Sequence, residues 1–263
     1  MVVLHPLQKP LDRMVDYLSD AQYIYQVIEE RLQQTASARQ VQGGTGAGQP
    51  GRPHASLNRA VVVAAVGALE AFSEDLALVA QPLDPMATPP SAWYQIDGKQ
   101  GMVQTPSPYN LRKLFWTFFR YDPVPDWEWV VDVAPSELGG TSTWRTGTTQ
   151  HRTTDASAFL NAMVTVRHGF AHQDKAQKPS AYAGIVTLTP KQKISIHSHH
   201  ARNSLSVLLQ YAILTTAGLG HKLAVPGQFR WSSKMTNAGW EPLLKGTPAA
   251  DQVKNTWKDS PTF

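Results

Sequence analysis

The chain has 263 residues, of which 42% are hydrophobic, and this is enough apolar material for the core of a helical domain with long loops. Its 24 Lys and Arg residues against 20 Asp and Glu residues give a net charge of +4, a mild basic bias that suits an anionic partner such as nucleic acid and equally suits an ordinary solvated surface. The chain has no cysteine, which excludes disulfides, thiolate nucleophiles and cysteine-ligated zinc.

No stretch of the sequence predicts contact with a membrane. Residues 1–9 lack the apolar core of a signal peptide. The most apolar run, residues 60–69, is too short to span a bilayer and is followed by Glu70, Glu74 and Asp75. We therefore expect a soluble, cytoplasmic protein without a membrane partner.

The N-terminal part predicts one amphipathic helix and a flexible loop. Over residues 11–32, apolar residues recur at steps of three and four, the period of one helix face. Residues 33–55 include the run GGTGAGQPGRP, whose glycines and prolines favour a loop. The run lacks the Lys-Ser/Thr pair of a P-loop, so we do not expect it to hold phosphate.

A second helix is predicted over residues 57–79, with Ser56 as its N-cap. Its first half is apolar on nearly every side, and small residues such as Gly67 allow neighbouring helices to approach closely. This pattern is typical of a central, buried helix. Glu70 lies in the middle of it.

The middle of the chain alternates irregular and helical segments. Residues 81–108 are proline-rich and irregular, and residues 110–120 predict a short aromatic helix. In the segment 121–140 we expect Trp127 and Trp129 to pack on the bundle, because core tryptophans are commoner than tryptophans that stack on bases.

The C-terminal half predicts two further helices and a hairpin. Asp155 is placed to cap a helix that extends to about residue 172. The apolar stripe of this helix consists of Phe159, Met163, Val166 and Phe170. Weak alternation over residues 179–196 predicts a small β-hairpin, and residues 203–223 predict the last long helix.

These segments together predict an all-α fold, a bundle of four main helices and one short helix joined by long loops. We expect a helical domain over residues 1–224, with its flexible loop at about 33–55. Residues 225–263 are rich in Pro, Gly, Lys and Trp, and we expect them to form a tail or a wrapping arm.

The sequence VTVRHGFAHQD, at the end of the fourth predicted helical segment, carries the most chemical information. It places Arg167 five residues before His172, with His168 beside the arginine. Metal-free cleavage of RNA needs a group that moves protons near neutral pH and a fixed cation that stabilises the charged phosphorane. Histidine meets the first need and arginine the second.

This motif resembles the signature of the HEPN superfamily, in which an Arg, a polar residue, three variable positions and a His lie at the end of a helix in a small bundle. Two further stretches resemble the RiboL-PSP branch of that superfamily: LNRAVVVAAVGALEAFSEDLA, which contains Glu70, and NLRKLFWTFF with the Trp-bearing loop after it. The similarity covers about residues 11–219.

The resemblance implies an activity and a set of roles. HEPN nucleases are typically metal-independent endoribonucleases that act as homodimers, with the motif helices of both subunits at a shared cleft. In this chain Arg167 would hold the scissile phosphate, His172 would act as general base or acid, and His168 would orient the phosphate. Glu70 is a weaker candidate, for orienting Arg167 or a histidine. The products would carry 2′,3′-cyclic phosphate and 5′-hydroxyl ends.

The resemblance also indicates a biological setting. Relatives commonly act in phage defence, in toxin–antitoxin pairs or in responses to RNA damage. We therefore expect RNA and a second copy of the chain as partners, leave room for an antitoxin or regulatory protein, and expect no cofactor.

The spacing of the motif raises a geometric question. Two residues five positions apart on a regular helix point about 140° away from each other. Either the helix end relaxes around Gly169, or the cleft takes Arg167 from one subunit and His172 from the other. The sequence leaves both arrangements open.

Three other interpretations compete with catalysis. Arg167 and His172 can be a surface ion pair and a favourable charge at a helix C-terminus. His168 and His172 have the i, i+4 spacing of metal ligands, but Gly169 stands where a zinc protease has its glutamate. A HEPN domain can also bind RNA, nucleotides or protein without cutting.

A second group of histidines is less informative. His197, His199 and His200 can attract a metal ion, but we interpret them as a solvated loop and expect no metal site there.

Overall fold

The computed structural model describes residues 4–41, 55–87, 105–140, 147–171, 181–191, 193–227 and 229. Its described part is predominantly helical, as predicted. The five α-helices are α1 (Gln8–Val41), α2 (Ala55–Ala80), α3 (Pro108–Phe119), α4 (Thr153–Ala171) and α5 (Ser198–Lys222). Four are long and α3 is short, so the predicted bundle of four main helices and one short helix is confirmed.

Helix α2 is the centre of the bundle. It packs against α1, α4 and α5, and Val61, Val62, Leu69 and Phe72 on it are fully buried. An apolar surface on nearly all sides is what a helix needs when it has neighbours all round, because each buried Leu, Val or Phe contributes about 1.5–3 kcal/mol. The prediction of a central helix is therefore confirmed.

Helix α1 is longer than predicted. It continues through Val41, so residues 33–41 are helical where a flexible loop was expected. These residues are Gln, Thr, Ala, Ser, Arg and Val, which a helix tolerates, and the glycines begin only at Gly43. The rest of that predicted loop, residues 42–54, lies outside the described residues.

A two-stranded antiparallel hairpin was not predicted. Strand β1 (Glu128–Val133) pairs with β2 (Gly147–Arg152), with Val131 opposite Thr149, and β1 packs against α5. Asn203 of α5 fastens the hairpin, because its side chain accepts from the Asp132 backbone N–H at 3.1 Å and donates to the Asp132 carbonyl at 2.7 Å.

The motif helix begins directly where β2 ends. Helix α4 starts at Thr153, so Asp155 lies in its first turn and is not the N-cap that we expected. The small predicted hairpin is present, since β3 (Thr187–Leu188) pairs with β4 (Ile194–Ser195). It packs beside the C-terminal end of α4, where Ile194 Cδ1 lies 3.9 Å from the place of a Cβ on Gly169.

Helix α5 completes the core and packs against the loop that follows α3, residues 120–127. It begins at Ser198, five residues before the predicted start. Trp127 is buried against Tyr211 with a ring-centroid distance of 5.0 Å, and its indole N–H donates to Thr215 at 3.3 Å. The predicted packing of Trp127 is confirmed, whereas the side chain of Trp129 lies outside the described residues.

The ends of the described chain meet. Phe229 stacks on His5 with the two rings 4.2 Å apart. The predicted tail, residues 225–263, otherwise lies almost wholly outside the described residues. Within the described helices, none combines the length and the apolar character that crossing a membrane requires.

Candidate functional site

Helix α4 carries Arg167 and His168 in its C-terminal turns. Phe159, Met163 and Val166 are buried as the predicted stripe requires, and they fix this face of the helix against the core. Phe170, the fourth predicted member, is 42% exposed. The prediction is wrong at Phe170, because the core ends one turn before the helix does.

Arg167 pairs with Glu70 of α2. Arg167 Nη1 lies 2.7 Å from Glu70 Oε2, and each side chain is only 19% exposed. The two atoms approach as an ion pair without the alignment of a hydrogen bond. The structure thus brings together two of the predicted site residues, Arg167 and Glu70, and Glu70 was the weaker candidate.

The pair has an energetic consequence. A partly buried arginine that loses its carboxylate is left as an uncompensated charge, which costs several times what an exposed pair contributes. Glu70 contacts Nη1, and a guanidinium has further donors on Nη2 and Nε. Arg167 can therefore be oriented by Glu70 and still present donors to an anion.

His168 is held by a different neighbour. Its Nε2 lies 3.3 Å from Oγ1 of Thr105, three residues before α3 begins at Pro108. Successive helix residues point about 100° apart, so Arg167 is directed to α2 and His168 to the segment before α3.

The fourth predicted residue, His172, lies outside the described residues. The described helix ends at Ala171.

Sequence reasoning missed Arg59, which reaches the end of the motif helix from α2. Its Nη2 donates to the Ile194 carbonyl of β4 at 2.7 Å, and its Cζ lies 5.7 Å from the centroid of the Phe170 ring. Arg59 looked like a polar residue at the start of an apolar helix. Only the fold places it beside the motif.

Two members of the second histidine group, His199 and His200, form a largely buried cluster with Glu137, so the expectation of a solvated loop was wrong for these two. His197 is exposed and precedes the helix. His199 and His200 lie in the first turn of α5, and His200 is completely buried. Both Nε2 atoms lie 2.8 Å from the same oxygen of Glu137. The other oxygen accepts the Gly184 backbone N–H at 2.6 Å. Glu137 lies 62 positions before His199 and 63 before His200, so the sequence could not identify it as their partner.

The hydrogen bonds of His200 fix which of its ring nitrogens carries the proton. Nδ1 of His200 accepts the His197 backbone N–H at 3.1 Å, so its single proton is on Nε2 and is donated to Glu137. Burial lowers the pKa of His200 to about 4 despite this carboxylate. Burial alone would raise the pKa of Glu137, but the hydrogen bonds from His199 and His200 outweigh it and hold that pKa well below its usual range.

Among the described residues, Glu137, His199 and His200 are the group whose ligand atoms converge closely enough for a metal ion. Two histidines and a glutamate are a known donor set for zinc. A metal would need the lone pair of His200 Nε2, however, and His200 can offer it only by moving its proton to Nδ1, where His197 now donates. The hydrogen bonds thus suit a structural clamp between α5 and the Glu137 turn.

Comparison with known proteins adds no relative: no family profile, no curated protein and no solved structure matches the chain.

Proposed function

We propose that the chain is a metal-independent endoribonuclease of the HEPN type. The observation that carries the proposal is the ion pair at 2.7 Å that holds Arg167 against Glu70 at the end of α4, five positions before His172. A fixed guanidinium beside a histidine is the minimum that phosphodiester transfer requires.

The reaction follows from the chemistry of those groups. His172 removes the proton from the ribose 2′-hydroxyl, and the 2′-oxygen attacks the neighbouring phosphorus. Arg167 stabilises the charge that develops on the phosphorane oxygens. The bond from phosphorus to the 5′-oxygen breaks and this oxygen takes up a proton, which leaves a 2′,3′-cyclic phosphate and a 5′-hydroxyl.

A homodimer is part of the proposal. Glu70 orients Arg167 within one subunit, and the motif helix of a second subunit can bring its His172 to that arginine. The mild positive charge of the chain favours an RNA substrate. An enzyme of this kind harms its own host when unrestrained, so a role in phage defence or as a toxin with a regulatory partner completes the proposal.

The chemistry of the products tests the proposal. Purified protein is incubated with a defined RNA in EDTA, and the fragment ends are identified by mass spectrometry. We expect cyclic phosphate and 5′-hydroxyl ends from the wild type and no fragments from Arg167→Ala or His172→Ala. Cleavage that persists in both variants would contradict the proposed site. Binding of RNA without cleavage by any form would favour a non-catalytic binding module.

A further inference from the structure

Phe170 is an exposed aromatic residue at an unexpected place. It lies in the last turn of α4, three positions after Arg167, and 42% of it is open to solvent. The other apolar residues of its stripe are buried. A partly exposed phenylalanine ring at the end of an otherwise buried stripe offers an aromatic surface to a binding partner.

Arg59 holds a cation over this ring. Its Cζ is 5.7 Å from the centroid of the Phe170 ring, within the range of a cation–π contact. The position of the guanidinium is fixed by a hydrogen bond, since Nη2 donates to the Ile194 carbonyl at 2.7 Å. Ring and cation therefore form a fixed unit across the ends of α2, α4 and β4.

Phe170 lies one turn after Arg167 on α4, and residues three apart on a helix have about 5–6 Å between their Cβ atoms. The two side chains then diverge along α2, because Arg167 pairs with Glu70 whereas Phe170 contacts Arg59, eleven positions earlier. A single strand whose phosphate contacts Arg167 can therefore bring a base from farther along the strand to the Phe170 ring.

We propose that Phe170 and Arg59 form a stacking platform for one unpaired base of single-stranded RNA, on the same strand as the phosphate that Arg167 binds. The inference rests on the proposed ribonuclease function and specifies its substrate. Aromatic rings and arginine planes are the surfaces on which proteins stack splayed-out bases, and a paired base in a duplex does not offer its face. Two arginines at the platform match the charge of the RNA backbone.

The rival occupant of this surface is a second copy of the chain, which would bury Phe170 in a dimer contact. The two occupants make opposite demands on the side chain. A base needs a flat aromatic face, which Trp keeps and Leu lacks. A protein contact needs apolar volume, which Leu supplies.

The test measures the affinity of a short fluorescein-labelled single-stranded RNA by anisotropy in EDTA, in a His172→Ala background that leaves the RNA uncut. We expect Phe170→Ala and Phe170→Leu each to weaken binding roughly tenfold, the effect of losing one base–aromatic stack, and Phe170→Trp to retain it. Trp116→Ala removes a more exposed aromatic, from α3, and should bind like the parent. Circular dichroism checks that each variant is folded.

The outcomes separate this inference from the proposed function. Equal affinity in Phe170→Ala and the parent overturns the platform, and so does a Phe170→Ala protein that becomes monomeric while Phe170→Leu stays dimeric and binds normally. If the wild type cleaves RNA in either case, the ribonuclease proposal stands. If binding depends on Phe170 but the wild type never cleaves, the platform stands and the ribonuclease proposal fails.

Discussion

Arg167 gains its orientation from Glu70, and this contact joins the motif helix to α2, the central helix of the bundle. At the scale of residues, the sequence identified the chemistry of both groups but could not identify their contact, because Glu70 and Arg167 lie almost a hundred positions apart. The resemblance of the Glu70 segment to a HEPN helix supplied the hint. No sequence feature indicated the partners of Arg59 or Glu137, because those partners come from segments that only the fold brings together.

The Glu70–Arg167 pair makes a first prediction. Glu70→Gln keeps the shape of the side chain and removes its charge, so Arg167 loses both its compensating charge and its fixed direction. We expect the free energy of unfolding to fall by about 1–3 kcal/mol and kcat to fall roughly tenfold, with a smaller change in KM. Urea unfolding and initial cleavage rates measure the two effects.

The control for this variant is Glu30→Gln, which removes the same charge from an exposed position on α1. It should leave both quantities unchanged. A Glu70→Gln protein that loses stability but cleaves with the kcat of the wild type would show that the pair is structural alone.

Two buried histidines predict how stability changes with pH. Burial lowers the pKa of His5 and of His200 from 6.5 to about 4. Between these values the unfolded chain binds protons that the folded chain refuses, so stability is complete above pH 6.5 and is lost as the pH falls toward 4. We expect about 2 kcal/mol of loss for each histidine between pH 7 and pH 5 in urea unfolding.

The variant His200→Gln isolates one of the two contributions. It should make the decline of stability with falling pH less steep, whatever it does to stability at pH 7. His221→Gln removes an exposed histidine near the other end of α5 and should leave the decline as it is. An unchanged decline in His200→Gln would contradict the buried neutral state of His200.

At the scale of elements, helices followed from the sequence and pairings between distant segments did not. The period of apolar residues located α2, α3 and α4 within a few positions. Strand β1 carries the run EWVVDV, yet its partner β2 is the polar GTTQHR, which has no apolar alternation to mark it. Likewise the end of α1 lies beyond the last residue that the core contacts, where only backbone propensity acts.

The packing of α5 against the loop of residues 120–127 depends on the close approach of Gly218 to that loop. A Cβ on Gly218 would collide with the hydroxyl of Tyr121 and the carboxylate of Asp126, which are joined by a hydrogen bond of 2.6 Å. We expect Gly218→Ala to lower the free energy of unfolding by about 1–3 kcal/mol, measured by urea unfolding.

A second helical glycine provides the matched control. Gly67 of α2 has nothing within 4 Å of the place of its Cβ. Gly67→Ala should therefore stabilise the protein by up to about 1 kcal/mol, because alanine loses less backbone entropy in a helix. If Gly218→Ala were as stable as Gly67→Ala, the tight packing of α5 on the loop would be refuted.

At the scale of the whole molecule, the account requires two copies of the chain. If the cleft takes Arg167 from one subunit and His172 from the other, two inactive proteins can complement each other. Mixing Arg167→Ala with His172→Ala under conditions of subunit exchange should restore one intact cleft in each heterodimer, half the number in a wild-type dimer, since its other cleft lacks both residues. RNA cleavage before and after mixing measures this.

Complementation also distinguishes the two arrangements that the motif spacing allows. When one subunit supplies both residues, a heterodimer of these variants contains no intact pair and stays inactive. A mixture that exchanges subunits, as shown by light scattering of tagged chains, and remains inactive would exclude a shared site.

The central claim is that Arg167 and His172 cleave RNA without a metal ion. The most direct measurement is the cleavage of total cellular RNA by purified protein in EDTA, with His172→Ala beside the wild type at equal concentration and confirmed fold. The account predicts fragments from the wild type and intact RNA with the variant. Intact RNA in both reactions, or equal cleavage in both, would contradict it.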